Sequence, residues 1–297
     1  MNLPASISAR LLNVARERGE DYQHLLTRYA LGRLLARMSR SEYADRFILK
    51  GALLFGVWTD SPHRPTKDID LLGAGEASVA DLERVFREMC SIEIEDDGLV
   101  FDPTSVRAAE IREGQVYGGI RVSMLALLGK SRIKIQVDIG FGDAVTPDEV
   151  TYPSILDFAR PKIRAYPPEA VVAEKFHAMA VLGTANSRMK DFYDLWALSR
   201  VREFEMEPLA AAVRATFERR GTELPAGLPV ALTSNFTEDA TKIEQWRAFI
   251  GRTDLDPAPP GLDETVSAIA RFVGPVLEHL NAPEQSPLSW PPGGPWR

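Results

Sequence analysis

The hydrophobic pattern changes period along the chain. Between Tyr22 and Ser39, Leu26, Ala30, Leu34 and Met38 recur every four residues with Leu31 and Leu35 beside them, which predicts a helix with one buried face. Arg33, Arg37 and Arg40 follow the same spacing on another side. Ser6–Arg18 and Ala80–Glu88 also read as helices, the second with Leu82, Val85, Phe86 and Met89 inward. Arg132–Ile139 alternates: Ile133, Ile135, Val137 and Ile139 take one face and Lys134, Gln136 and Asp138 the other, a half-buried strand. Asp68–Leu72 is read as a strand stopped by Gly73 and Gly75, and strand character recurs at Ile92–Ile94, Val100–Asp102, Ile111, Val116–Tyr117 and Ile120–Leu128. Arg46–Trp58 is apolar but poor in β-branched residues, so it is read as a helix or helix-turn.

From Thr146 to Pro168 the chain carries five prolines and is read as a linker. Helical patterns follow over Glu169–Leu182, with Pro168 at the first turn and Gly183 beyond the end, then over Met189–Arg200, Pro208–Arg219, Ala240–Ile250 and Leu262–Leu280. Ala282–Arg297 has five Pro and two Gly in sixteen residues and reads as a flexible tail, with Trp290 and Trp296 offering a means of docking. The expected fold is α+β: a mixed sheet with flanking helices over residues 1–150, then an α-helical domain over 151–297.

Composition narrows the class. With 45% hydrophobic and 26% charged residues in 297, the chain is that of a globular protein able to bury a core in each of two domains. The single cysteine, Cys90, excludes a disulfide framework and a cysteine-based zinc site. The charged N-terminus does not read as a signal peptide, and no apolar run approaches the length that spans a bilayer, so the expectation is a cytoplasmic protein with no membrane partner. The net charge of −7 argues against a nucleic-acid-coating protein, yet residues 28–67 carry eight basic against three acidic side chains. That local excess makes the Arg33, Arg37 and Arg40 side a candidate contact for a polyanion, with a solvated helix face as the plainer reading.

The chemistry centres on Asp68 and Asp70. Two apart on a strand, they share a face while Ile69 points into the core. Carboxylates held together repel, and a bridging cation relieves that; Mg²⁺ binds through one or two carboxylates plus substrate phosphates. Asp138, on the polar face of a second strand, is a candidate third ligand. Three carboxylates converging from adjacent strands would hold two Mg²⁺ and clamp both oxygens of an in-line phosphoryl displacement.

The run Arg64-Pro65-Thr66-Lys67-Asp68-Ile69-Asp70-Leu71 resembles the R-x-[ST]-x-D-[IL]-D-L pattern of the AbiEii/AbiGii (MenT-like) nucleotidyltransferase toxins, within the polymerase-β-like nucleotidyltransferase superfamily. Lys50-Gly51-Ala52-Leu53-Leu54 is similar to that family's KGGTAL segment, with Ala52 in place of its second glycine. Glu174-Lys175 and Arg188-Met189-Lys190-Asp191-Phe192-Tyr193-Asp194-Leu195 resemble its two later motifs. The resemblance implies a polymerase-β-like domain followed by a helical one, NTP as substrate, Mg²⁺ (or Mn²⁺) as cofactor on Asp68, Asp70 and Asp138, tRNA as acceptor at its 3′ end, a block of translation and a cognate antitoxin. It implies that Lys175 contacts the triphosphate, that Lys50 and the Gly51–Ala52 backbone help to hold the nucleotide, and that Asp191 acts beside Lys175.

Each of these has a structural alternative. Lys175 could be an ordinary helix lysine, and Asp191 a first-turn acid favoured by the helix dipole. Thr66 either donates to a phosphate or caps its turn, and Arg64 either meets phosphate or pairs with Asp60. Arg188 and Lys190 either hold phosphate or RNA backbone or are solvated; Asp194 is read as a partner for an arginine, and His177 as structural. At the level of function, transfer to a protein or small-molecule acceptor and a non-catalytic binding partner remain open. A DxD glycosyltransferase leaves the Lys175 and Arg188–Leu195 motifs unexplained, and the phosphatase motif DxDx[TV] lacks its last residue here.

Overall fold

The computed structural model describes residues 2–59, 64–75, 77–111, 118–143, 145–252, 255–282 and 288–297. The chain forms two compact units: residues 1–60, 65–143 and 147–166 in the first, residues 61–64, 144–146 and 167–297 in the second.

The first unit opens with helices α1 (Leu3–Arg18) and α2 (Tyr22–Arg40), followed by β1 (Phe47–Lys50), the short α3 (Phe55–Trp58), β2 (Asp68–Gly73), α4 (Val79–Cys90), β3 (Leu99–Ile111), β4 (Gly119–Leu128), β5 (Ser131–Phe141), β6 (Asp148–Thr151) and β7 (Lys162–Ala165). Its strands build one mixed sheet in the order β3-β4-β5-β2-β1-β7-β6. β2 runs parallel to β5 and antiparallel to β1, while β7 runs parallel to β1. One face carries Leu49, Ile69, Leu71, Val122, Met124, Ile133, Ile135, Val137 and Ile139, all buried. Helix α4 packs there, with Phe86 against Phe47 and Cys90 against Met124. Burial in that apolar layer pushes the Cys90 thiol up to about 11, so it stays a protonated packing group.

Several expectations need correction. Phe47–Lys50 is a strand rather than part of a helix: between β2 and β7 it is buried on both faces, where a continuous apolar run suits a strand and Leu needs no β-branch to fit. Thr146–Pro168 is not a linker, because β6 and β7 pair within it and β7 joins the sheet, so the first unit continues to Tyr166. Ile92–Ile94 is not a strand. Val116–Tyr117 and Asp60 lie outside the described residues, as do 283–287 of the tail.

The second unit is helical: α5 (Pro168–Leu182), α6 (Met189–Val201), α7 (Met206–Arg219), α8 (Ser234–Thr237), α9 (Ala240–Ile250) and α10 (Leu262–Asn281), with a two-residue ladder of β8 (Phe204–Glu205) and β9 (Ser289–Trp290). The described end of the chain, 288–297, is docked rather than free. Trp290 is buried and its Nε1 donates to Ser199 O at 2.7 Å; Trp296 Nε1 donates to Phe272 O at 2.8 Å, its ring stacked on Phe272. Among the described residues, no helix is long and apolar enough to cross a membrane.

Candidate active site

The polar face of the first unit's sheet carries the acids. Strand register fixes their neighbours: Lys50 of β1 stands opposite Asp70 of β2, Asp70 opposite Asp138 of β5, and Asp138 opposite Arg121 of β4. Paired residues on adjacent strands point to the same face. Four strands therefore present one row with a cation at each end and two carboxylates in its middle. Asp68, two residues back on β2, faces the same way opposite Gln136.

Each member has defined partners. Arg121 grips Asp138 with both arms of its fork, Nε to Oδ1 and Nη2 to Oδ2, each at 2.8 Å. Thr66 Oγ1 donates to Asp68 Oδ1 at 2.8 Å, so its hydroxyl orients a site carboxylate. Lys50 Nζ lies 3.7 Å from Asp143 Oδ2 and 5.7 Å from the Tyr166 ring centre. Gly51 has φ +76°, and a Cβ on it would stand 2.0 Å from Asp70 Oδ2. Only glycine fits there, because the left-handed backbone and the carboxylate both exclude a side chain. Ala52 follows in a short 3-10 turn, Ala52–Leu54.

The second unit gathers the later motifs. Lys175, on α5, donates to Asp191 Oδ1 and Asp194 Oδ2 of α6, both at 2.8 Å. Asp194 also takes both arms of Arg64, at 2.8 and 3.1 Å. Arg188 Nε stands 2.7 Å from Asp191 Oδ2, an ion pair whose angle does not make it a hydrogen bond. The two carboxylates are 1% exposed and are met by Lys175, Arg64 and Arg188, as buried anions require. Burial alone would lower the Lys175 ammonium, but Asp191 and Asp194 outweigh it and hold the group above its ordinary value. Asp194 thus pairs with an arginine as expected, and it also anchors Lys175. Its three-residue spacing from Asp191 on one helix was the available signal for that second role. Lys190 is exposed on the first turn of α6.

His177, two residues further along α5, is buried with its Nε2 2.8 Å from Thr222 Oγ1 and its Nδ1 3.2 Å from Arg220 Nη1. Arginine can only donate, so Nδ1 accepts and the Nε2 proton points at the threonine. That polarity is the reverse of a base activating a hydroxyl, and His177 is structural.

The basic side of α2 is a correction. Arg33 and Arg37 are buried: both bond Asp97, Arg33 also bonds Glu95, and their guanidinium groups lie over Phe158 and Phe101 respectively. They face inward because α2 lies over the segment that carries these acids, and they are unavailable to a polyanion. Arg40 is half-exposed, 3.5 Å from Glu95.

No group of three or more His, Cys, Asp or Glu among the described residues stands ready to hold a metal ion. Both oxygens of Asp138 are taken by Arg121. Asp68 and Asp70, on one face beside the Gly51 cradle, still suit an ion that binds through one or two carboxylates and substrate phosphates.

Comparison with known proteins now bears on the reading. Two solved structures from Helicobacter pylori share the fold: one described as a candidate nucleotidyltransferase (13% identity, TM-score 0.51, covering 90% of this chain and all of that one). The other is JHP933 (13% identity, TM-score 0.50, 88% of this chain and 94% of that one). No curated protein matches the sequence. The sequence profile of the nucleotidyl transferase AbiEii toxins of Type IV toxin–antitoxin systems matches residues 33–268, most of the chain and all of the motifs described above. The chain belongs to the AbiEii nucleotidyl transferase toxin family.

Proposed function

We propose that this protein transfers a nucleoside monophosphate from an NTP to the 3′ end of tRNA with release of pyrophosphate, blocking translation in the cytoplasm until a cognate antitoxin restrains it. The observation that supports this most is the register row that sets Asp70 beside Asp138, with Asp68 on the same face and Gly51 packed against Asp70. In this reading Asp68 and Asp70 bind the divalent ion, Mg²⁺ or Mn²⁺, together with the NTP phosphates. The bound ion would offset the negative charge gathered where the α-phosphorus is attacked.

The chain's own residues do the rest. Thr66 fixes the rotamer of Asp68 through its 2.8 Å hydrogen bond. Asp138, once free of Arg121, accepts the proton of the attacking hydroxyl or joins Asp68 and Asp70 as a ligand. Lys50 and the Gly51–Ala52 backbone line the nucleotide. Lys175 has three N–H donors and uses two on Asp191 and Asp194, which leaves one for a phosphate oxygen. Asp191 orients that lysine, and Arg64 does so through Asp194. Arg188 and Lys190 add positive charge at the start of α6 for phosphate or RNA backbone.

Incubation with each labelled NTP, Mg²⁺ and bulk tRNA tests the proposal, with label followed in RNA and in protein. Label in tRNA that is lost in Asp70→Ala supports it. Label in protein alone would move the acceptor to a protein, and no label with any NTP would leave a non-catalytic partner of the same fold.

A further inference from the structure

We infer that Arg121 is a stand-in for the divalent cation: its guanidinium clamps Asp138 until metal and nucleotide together displace it. This rests on the metal reading of Asp68 and Asp70 given above. The clamp has the geometry of a dedicated grip. Nε and Nη2 each meet one oxygen of the carboxylate at 2.8 Å, so neither oxygen points openly at an incoming ion. It also sits where repulsion is greatest, because Asp138 is the register neighbour of Asp70. Arg121 closes one end of the row on Asp138, and Lys50 stands opposite Asp70 at the other.

The pair is also releasable. The Arg121 side chain is 43% exposed, whereas Asp138 is 18% exposed and fixed on a central strand. An exchange therefore moves the arginine and leaves the carboxylate in place. A cation arriving alone must compete with the fork. A cation arriving with a triphosphate brings the anion that a released guanidinium binds well, since its planar fork matches phosphate oxygens. Arg121 would thus make metal capture depend on nucleotide, holding the third carboxylate in register and keeping the site from filling with metal by itself. A two-armed pair can also support folding, and a purely structural role would appear as lost stability without a graded change in Mn²⁺ affinity across the two arginine variants.

Mn²⁺ binding to the full chain without nucleotide, measured calorimetrically, tests the inference on wild type, Arg121→Met, Arg121→Lys and Asp70→Asn. If the clamp frees Asp138 in only about a tenth of molecules, Arg121→Met tightens Mn²⁺ roughly tenfold. Arg121→Lys, which keeps the charge without the two-armed grip, then falls between that variant and wild type. Arg121→Met at wild-type affinity overturns the inference, and so does Arg121→Lys at wild-type affinity, because the effect is then bulk charge or absent. If Arg121→Met does not fold, the lysine variant decides alone on the same criterion. Asp70→Asn separates the two levels: should it bind Mn²⁺ as wild type does, the metal reading itself falls and the inference falls with it. Should it lose Mn²⁺ while Arg121→Met and Arg121→Lys match wild type, only the inference falls.

Discussion

Gly51 shows how much one residue constrains. Its φ of +76° and the carboxylate of Asp70 at 2.0 Å from a would-be Cβ leave no room for alanine. Gly51→Ala is expected to destabilise the protein by about 1–3 kcal/mol and to push Asp70 off its line. A urea melt would read the first effect, and loss of nucleotide transfer the second. Ala52, where the family's segment has a second glycine, is different: no non-glycine residue in the described structure has positive φ, and position 52 lies in a 3-10 turn whose backbone does not require glycine. The departure from the motif is therefore no obstacle to the backbone. Lys175 makes the complementary point. Replacing it with Met removes one charge-assisted hydrogen bond from each of two buried carboxylates and leaves Asp194 with Arg64 and Asp191 with Arg188, a loss expected to cost about 1–3 kcal/mol. Because the folded ammonium titrates above its ordinary value of 10.5, its contribution is complete below that pH and is lost only as pH rises through the higher folded value. Thermal melts across alkaline pH should show wild-type stability falling above 10.5 while Lys175→Met stays flatter.

At the scale of elements, α2 reverses its sequence reading. The helix is where the apolar period places it, Tyr22–Arg40, but the arginines that looked like a presented face are part of the interior. Periodicity shows which residues share a side of a helix; it does not show that an acid from residues 95–97 will come to meet them. Asp97 is 2% exposed: burial would raise its carboxyl, but Arg37 and Arg33 more than offset that and hold it below its ordinary 3.8. The folded state thus binds the proton less readily than the unfolded one, so this contribution is present above 3.8 and is lost as pH falls through the depressed folded value. Asp97→Asn should lower stability at neutral pH by about 3–5 kcal/mol, taking from buried Arg37 the carboxylate it bonds and leaving Arg33 with Glu95, and should flatten the acid limb of a melting-temperature profile. The docked chain end is a second case. Its prolines and glycines suggest a tail, yet Trp290 fills a buried slot beside Phe272, and Trp290→Ala is expected to destabilise by about 3–5 kcal/mol in a denaturant titration. The edge strand β3 is closed off locally: Glu83 of α4 accepts the Ala108 N–H, and the register shifts between Asp102 and Arg107.

For the whole molecule, the boundary between the units follows from strand pairing. β7 lies against β1, which carries Lys50 at its end, so the first unit needs residues through Tyr166. A fragment ending at 166 should stay soluble and show strand signal by circular dichroism, whereas one ending at 150 exposes the β1 edge and should aggregate. The sequence by itself determined most of the helices, the alternating strand Arg132–Ile139, the shared face of Asp68 and Asp70 and the family, because periodicity and motif spacing are local properties of the chain. Only the tertiary structure decided that Asp138 stands beside Asp70 rather than elsewhere on that face, that Arg121 holds it, that Arg33 and Arg37 turn inward and that Phe47–Lys50 is a strand. Each of those depends on strand register or on a partner distant in sequence, and a one-residue slip between β2 and β5 would have sent Asp138 to the opposite side with every local pattern unchanged.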